Sequence, residues 1–313
     1  MTDISVIIPT YNRLWCLPKA VESCRHGRCS VQIIVVDDGS DDGTWEWLAT
    51  QSDVVGIRQH NLGKDWAVNR GMARATGEFV RFLDSDDMLL PGANDSQLAT
   101  AREFEADVVV AGHRVCDEAN RTVREIEWTP CDDFIAQQLG ECDSSHYSAY
   151  LFRRKFVDDI PHRPEFGVRD DRMFVIEVAL REPKVATIAS LSLVHQHHFQ
   201  ERLQFQSGLA AAITNGQHLK IYRTAARRLE AEGKLTPRRR RAMAKALWPL
   251  AHWIAYTHHD EACEVAKWIS ELDPDFHIPE HGVLGWLYRR LGFRRTEQIL
   301  WFRRIALKLI SSR

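Results

Sequence analysis

Short unbroken apolar runs alternate with amphipathic stretches over the first two hundred residues. "ISVIIP" (4–9) and "VQIIVV" (31–36) are apolar and largely β-branched, the pattern of strands covered on both faces. "VVGIRQ" (54–59), "EFVRFL" (78–83) and "DVVVAGHRV" (107–115) predict a third, fourth and fifth strand. Between them "LPKAVESCRH", "DGTWEWLAT" and "KDWAVNRGMARAT" (64–76) carry helical spacing. Strand–helix alternation with short connections predicts an α/β fold on a parallel sheet. Past about residue 200 the strand pattern stops. "TPRRRRAMAKAL" opens with Thr236 as an N-cap and Pro237 at the first helical position. "DEACEVAKWISEL" and "TEQILWFRRIALKLI" keep a helical period. The expected organisation is one domain over 1–200 and a helical region over 201–313.

In an open parallel sheet, ligands bind beyond the carboxyl ends of the strands. The first strand ends in Thr10-Tyr11-Asn12, the second in Asp37-Asp38-Gly39-Ser40, and the fourth in Asp84-Ser85-Asp86-Asp87. Three polar clusters at one sheet edge predict a pocket. The absence of GxGxxG after the first strand and of GxxxxGK[ST] anywhere disfavours a dinucleotide fold and a P-loop. Three carboxylates within "LDSDD" (83–87) repel one another. A hard divalent ion takes oxygen ligands and would remove that repulsion. On an extended segment Asp84 and Asp86 share a face. The competing reading is a solvated turn in which Asp84 or Asp87 caps a helix. A later pair, Asp170 and Asp171, is flanked by Arg169 and Arg172, whose charge would keep both ionised. A helix N-terminus stabilised by its macrodipole suits the same pair.

Composition adds an asymmetry. The net charge of −2 conceals 20 Lys/Arg against 11 Asp/Glu in residues 201–313, and 21 against 32 in residues 1–200. Seven cysteines without a CxxC pair predict reduced thiols in a cytoplasmic protein. "MTDISVIIPTYNR" has no basic n-region of a signal peptide, and "ALWPLAHWIAY", with Pro249 and His252, is short for a membrane span. Residues 281–313 carry eight Lys/Arg against one Glu, with Trp286, Tyr288, Phe293, Trp301 and Phe302 interleaved. Such a basic amphipathic helix suits an anionic membrane surface, peripheral at the inner face of the cytoplasmic membrane. Its stripe of Ile299, Phe302, Ile305, Ala306, Leu309 and Ile310 equally suits packing on the rest of the helical region. The single run "PRRRR" (237–241) is too short to imply a nucleic-acid partner.

Four blocks then resemble family 2 glycosyltransferases in order and separation: "SVIIPTYNR", "IIVVDDGSDDGT", "NLGKDWAVNRGMARATGEFVRFLDSDD" and "RDDRMFVIEVALREPKVATI". The resemblance covers about residues 4–200 and implies the GT-A, Rossmann-like nucleotide-diphospho-sugar transferase fold. It implies that Pro9, Thr10 and Tyr11 line the base pocket, and that Asp38, with Asp37 behind it, bonds the base or ribose. Lys64 would lie near the diphosphate, with Asn69 and Arg70 on the flanking helix. Asp84-Ser85-Asp86 fills the DxD motif: Asp86 would bind Mg2+ or Mn2+, and Asp84 would face the ribose or sugar and stand near the metal. "DDRMF" departs from the family's usual Glu-Asp by placing Asp170 where Glu stands. By register Asp171 is the general base, with Asp170 the second candidate. Within "LVHQHHFQERLQ" (193–204), one of His195, His197 and His198 is expected at the phosphates or the metal, His198 foremost; a surface or core role is the alternative. "CDSSHYSAYLFRRKF" (142–156) is expected as a wall or loop facing the acceptor.

The implied activity is inverting transfer of a sugar from a nucleotide-diphosphate donor, UDP-sugar first, to a hydroxyl of a glycan or lipid-linked acceptor in envelope polysaccharide or glycolipid assembly. A sugar-nucleotide nucleotidyltransferase would open with a Gly-rich loop that "IPTYNRLW" lacks. A non-catalytic scaffold subunit would be expected to have lost Asp86 or both Asp170 and Asp171.

Overall fold

The computed structural model describes residues 2–198 and 208–311. In order, the elements are β1 (Ile4–Thr10), α1 (Leu17–Ser23), β2 (Val31–Asp37), α2 (Thr44–Leu48), β3 (Val54–Arg58), α3 (Lys64–Met72), β4 (Phe79–Phe82), β5 (Met88–Leu89), α4 (Ala93–Glu103), β6 (Val108–Cys116) and β7 (Thr122–Ile126). There follow α5 (Phe134–Gln138), β8 (Tyr150–Arg153), α6 (Arg154–Val157), α7 (Asp170–Leu180) and β9 (Val185–Gln196). The helices α8 (Gly208–Ala231), α9 (Pro237–Ala255), α10 (His259–Leu272) and α11 (Gly282–Ser311) complete the chain.

The chain forms two compact units: Met1–Phe134 with Asp143–Glu201, and Ile135–Cys142 with Arg202–Arg313. In the first, a sheet runs β3-β2-β1-β4-β8-β6-β9-β5, with β7 pairing β6. All seven residues of β1 are buried. Ile4, Val6 and Ile8 enter one core with Leu17, Val21, Ile33 and Val35, while Ile7 enters the other with Ile34, Val36 and Val68. Each such side chain contributes about 1.5–3 kcal/mol on burial, so the β-branched runs fix the centre of the sheet. Helix α3 lies close on β1 because Gly71 has no side chain: a Cβ there would meet Ile7 Cγ2 at 2.4 Å.

The parallel part is β3-β2-β1-β4. Beyond this parallel part the sheet is mixed. Strands β4 and β6 are not neighbours; β8 inserts between them, antiparallel to both. β8 comes from the stretch expected only as an acceptor wall, and its four residues "YLFR" are too few to show a period. β9 is parallel to β6 and antiparallel to β5. β7 is a largely exposed, charged edge ribbon without an apolar signal. Arg81, wholly buried in β4, bonds Ser148 O at 3.1 Å and the Gln97 amide, and Gln97 holds Ala149 O at 3.0 Å. These bonds pin the turn that carries His146 and Tyr147.

In the second unit, Thr236 caps α9 through Arg239 N with Pro237 at its first turn, as the sequence predicts. Residues 135–142, expected within the first domain, belong here: Glu141 accepts two bonds from Arg238, at 2.6 and 2.7 Å. Helix α11 breaks at Gly292, whose φ is 74°. Tyr288 and Phe293 pack around Trp248 and His252, so these two aromatics are core rather than surface anchors. Trp286, Ile299, Trp301 and Phe302 are exposed. The side chains of Ile305, Ala306, Leu309 and Ile310 lie outside the described residues. No described helix is long and apolar enough to cross a membrane.

Candidate active site

The carboxyl ends of β1, β2 and β4 fall at one edge because the strands are parallel and in register, Thr10 opposite Asp37 and Ile7 opposite Phe82. The chain after β4 is a turn rather than an extended segment, closed by Asp87 N donating to Asp84 O at 3.0 Å. The expected shared face of Asp84 and Asp86 is therefore absent. The three carboxylates fan out, and each meets its own partner.

Asp84 accepts a bond from Lys64 Nζ at 2.6 Å. Burial favours its neutral form, but Lys64, with His146 adding, outweighs burial and holds the carboxyl at about 2. Asp86 Oδ2 meets Arg13 Nη1 at 3.0 Å and His198 Nε2 at 2.9 Å, and Arg13 and His198 are 3.2 Å apart. Asp87, 1% exposed, accepts from Gln196 N at 3.1 Å and faces His195 Nδ1 at 3.1 Å. The mutual repulsion in "DSDD" is thus relieved by three separate contacts.

The second carboxylate pair divides as sharply. Both residues open α7, but Asp170 is 2% exposed and occupied, bonded by His162 Nδ1 and by Arg163 N at 2.6 Å. His162 in turn meets Tyr147 OH at 2.8 Å. Asp171 accepts from Arg172 N at 2.7 Å. Burial pushes its carboxyl up, and Lys64 counters while Asp84 adds to the rise. The largest opposing charge comes from Lys64 on α3, and the Arg172 backbone N–H also lowers the carboxyl. Lys64 thus bonds Asp84 and also offsets charge at Asp171, with its ammonium 5.9 Å from the Tyr147 ring.

Other expected residues have structural partners. Asp38 holds the loop before Lys64, accepting from Gln59 Nε2 at 2.7 Å, Leu62 N at 2.8 Å and Gly63 N at 2.8 Å. Asp37 accepts from Ser40 N at 2.9 Å and faces Arg58 at 3.3 Å. Asn69 clamps the His162 backbone, donating to its O at 2.7 Å and accepting from its N at 2.8 Å. Pro9 and Ser85 are buried, Tyr11 is exposed, and Thr10 Oγ1 is buried without a hydrogen-bond partner. His197 lines a cleft of about 580 Å³ that Asp86, Asp87, Arg114, Lys19 and His198 also border. Residues 199–204 of the histidine-bearing stretch lie outside the described residues.

Sequence reasoning gave no role to Arg13, Asp65, His146 or Tyr147. Arg13 closes the block "SVIIPTYNR" and was visible there. Asp65 follows Lys64, and burial, then Asp170, push its carboxyl up to about 7. His146 and Tyr147 sit in an irregular stretch where no period marks them.

An Asp86 carboxylate and a His198 imidazole converging on one point fit a divalent ion, and Arg13 already brings positive charge to that oxygen. His198 Nδ1 is buried without a hydrogen-bond partner.

Comparison with known proteins gives a consistent picture. Residues 5–160 match the family model described as Glycosyl transferase family 2. The chain is 26% identical over 247 residues to the "Putative glycosyltransferase EpsH" of Bacillus subtilis (strain 168), covering 69% of each. It is 38% identical over 175 residues to the "GalNAc(5)-diNAcBac-PP-undecaprenol beta-1,3-glucosyltransferase" of Campylobacter jejuni, covering 51% of this chain and 56% of that one. Among solved structures, S. aureus TarS 1–349 superposes with a TM-score of 0.53 at 17% identity, covering 95% of this chain and 90% of that one. At that identity the likeness concerns the fold.

Proposed function

Residues 5–160 belong to glycosyl transferase family 2, and from that premise we propose that this chain moves a sugar from a nucleotide-diphosphate donor, UDP-sugar first, onto a hydroxyl with inversion. The acceptor we infer is a glycan or lipid-linked saccharide of envelope assembly. The Campylobacter relative is named for a saccharide carried on PP-undecaprenol, which supports that class.

The observation that carries the mechanism is the division of labour between Asp170 and Asp171. Asp170 is bound by His162 and Arg163 N, whereas Asp171 is half-buried, and Lys64 opposes the rise that burial imposes on its carboxyl. In this reading Asp171 accepts the proton of the attacking acceptor hydroxyl. The acceptor oxygen bonds to the anomeric carbon as the bond to the diphosphate oxygen breaks on the opposite face. Burial raises its carboxyl, which favours proton capture, and Lys64 opposes that rise. Asp84, fastened by Lys64, faces the ribose or sugar. Asp38 positions the loop leading to Lys64, beside Thr10 and Tyr11 at the base. Asp86 and His198 would hold Mg2+ or Mn2+, which supplies charge neutralisation at the leaving diphosphate. Arg13 would turn from Asp86 toward phosphate oxygens.

The test is Asp171→Asn. General-base loss should lower turnover by about 10²–10⁴-fold, with UDP-sugar affinity within about threefold of wild type. NMR of the wild-type product should give the inverted anomer. Wild-type turnover in Asp171→Asn, or a retained configuration, would remove this mechanism.

For location we infer attachment to an anionic inner membrane face. Exposed Trp286, Trp301 and Phe302, with exposed Arg289, Arg290 and Arg295, support it.

A further inference from the structure

We propose that Asp87, His146 and His195 form a second divalent-cation site, selective for a Zn2+-type ion and separate from Asp86 and His198. One ligand atom from each of the three lies within 4.8 Å of the other two. His195 Nδ1 is 3.1 and 3.2 Å from the two Asp87 oxygens, and His146 Nδ1 is 3.8 Å from Oδ2. Tetrahedral zinc with bonds of about 2.0–2.2 Å puts its ligand atoms about 3.4 Å apart. Small ring rotations reach that spacing.

Three features call for a cation here. Asp87 is 1% exposed, and a buried carboxylate is costly without opposing charge. His146 Nδ1 accepts a long, 3.3 Å bond from Ser148 N, so that nitrogen carries a lone pair while facing the Asp87 carboxylate. Two acceptors then point at one another, an arrangement that a cation between them resolves. Independently, His113 is 7% exposed, its ring centre is 5.7 Å from that of His146, and its Nδ1 has no hydrogen-bond partner. A fourth imidazole is thus within reach of the set.

Two imidazoles with one carboxylate favour Zn2+, Co2+ or Fe2+ over Mg2+, unlike an oxygen-rich diphosphate site. The ligands come from the turn after β4, the segment before β8, and β9. An ion here would staple those three segments and so hold Asp86 and His198 in place from behind.

The probe is Co2+ added to metal-stripped full-length protein, read by visible d–d absorption. The expected result is one equivalent of intense, low-symmetry absorption, displaced by one Zn2+ and untouched by excess Mg2+. His146→Gln and His195→Gln should each weaken it at least about tenfold, and Asp86→Asn should leave it unchanged. Zn2+ should also raise the thermal midpoint of wild type and of Asp86→Asn, a readout needing no folded histidine variant. Absorption no stronger than the aquo ion, with no midpoint shift, overturns the proposal in favour of charge on His195. Absorption lost in Asp86→Asn but kept in His146→Gln overturns it in favour of an ion at the diphosphate site. Neither result bears on sugar transfer.

Discussion

Replacing Lys64 by Met removes the cation that acts on both Asp84 and Asp171. The Asp84 carboxyl sits at about 2 against an ordinary 3.8, a displacement of nearly two units, and one unit corresponds to about 1.4 kcal/mol. That gives roughly 2–3 kcal/mol for the net hold on Asp84. Coulomb's law for a pair about 4 Å apart at an effective dielectric near 20 gives about 4 kcal/mol. Lys64 is 34% exposed along its side chain, so solvent screening favours the lower figure. Because the folded-state carboxyl is depressed, this stability is present in full above about pH 4 and is lost as pH falls toward 2. A double-mutant cycle with Asp84→Asn, by urea unfolding at neutral pH, should return a coupling of about 2–3 kcal/mol. Loss of Lys64 also leaves Asp171, already raised by burial and by Asp84, without its opposing charge. The acidic limb of kcat/KM should then move to higher pH, because the base must be deprotonated to act. Additive effects in the cycle, or an acidic limb that stays put, would refute the action of Lys64 on both carboxylates.

Asp170→Asn removes the charged acceptor for His162 and Arg163 N and should cost about 1.5–3 kcal/mol by thermal unfolding. Its turnover should stay within about tenfold of wild type, in contrast to Asp171→Asn; the reverse ranking would exchange the two roles. Trp286→Ala with Trp301→Ala should weaken co-sedimentation with phosphatidylserine vesicles and leave weak binding to neutral vesicles unchanged. Equal sedimentation of wild type and variant would remove the membrane surface.

Much of the first unit was legible because its strands are short, continuous and apolar: "ISVIIP", "VQIIVV" and "EFVRFL" all became strands where expected. What stayed hidden had a physical cause in each case. β8 is four residues long, β5 two, and β7 lies exposed at an edge, so none produces a period. The segment 135–142 shows no composition change, and its place in the second unit depends on Glu141 finding Arg238, 97 residues away.

Local chemistry alone determined that strand tips would carry Thr10, Asp38 and the Asp84–Asp87 cluster, and that Thr236 would start a helix. Those outcomes depend on burial and capping between near neighbours, which a linear sequence records. Only tertiary structure decided which carboxylate does what. The turn at 84–87 sends three adjacent acids to Lys64, Arg13 and His195, and one helical step separates the occupied Asp170 from Asp171. Partners supplied from 7 to 112 positions away set those assignments, and side-chain direction at a turn or helix start leaves no trace in the order of residues.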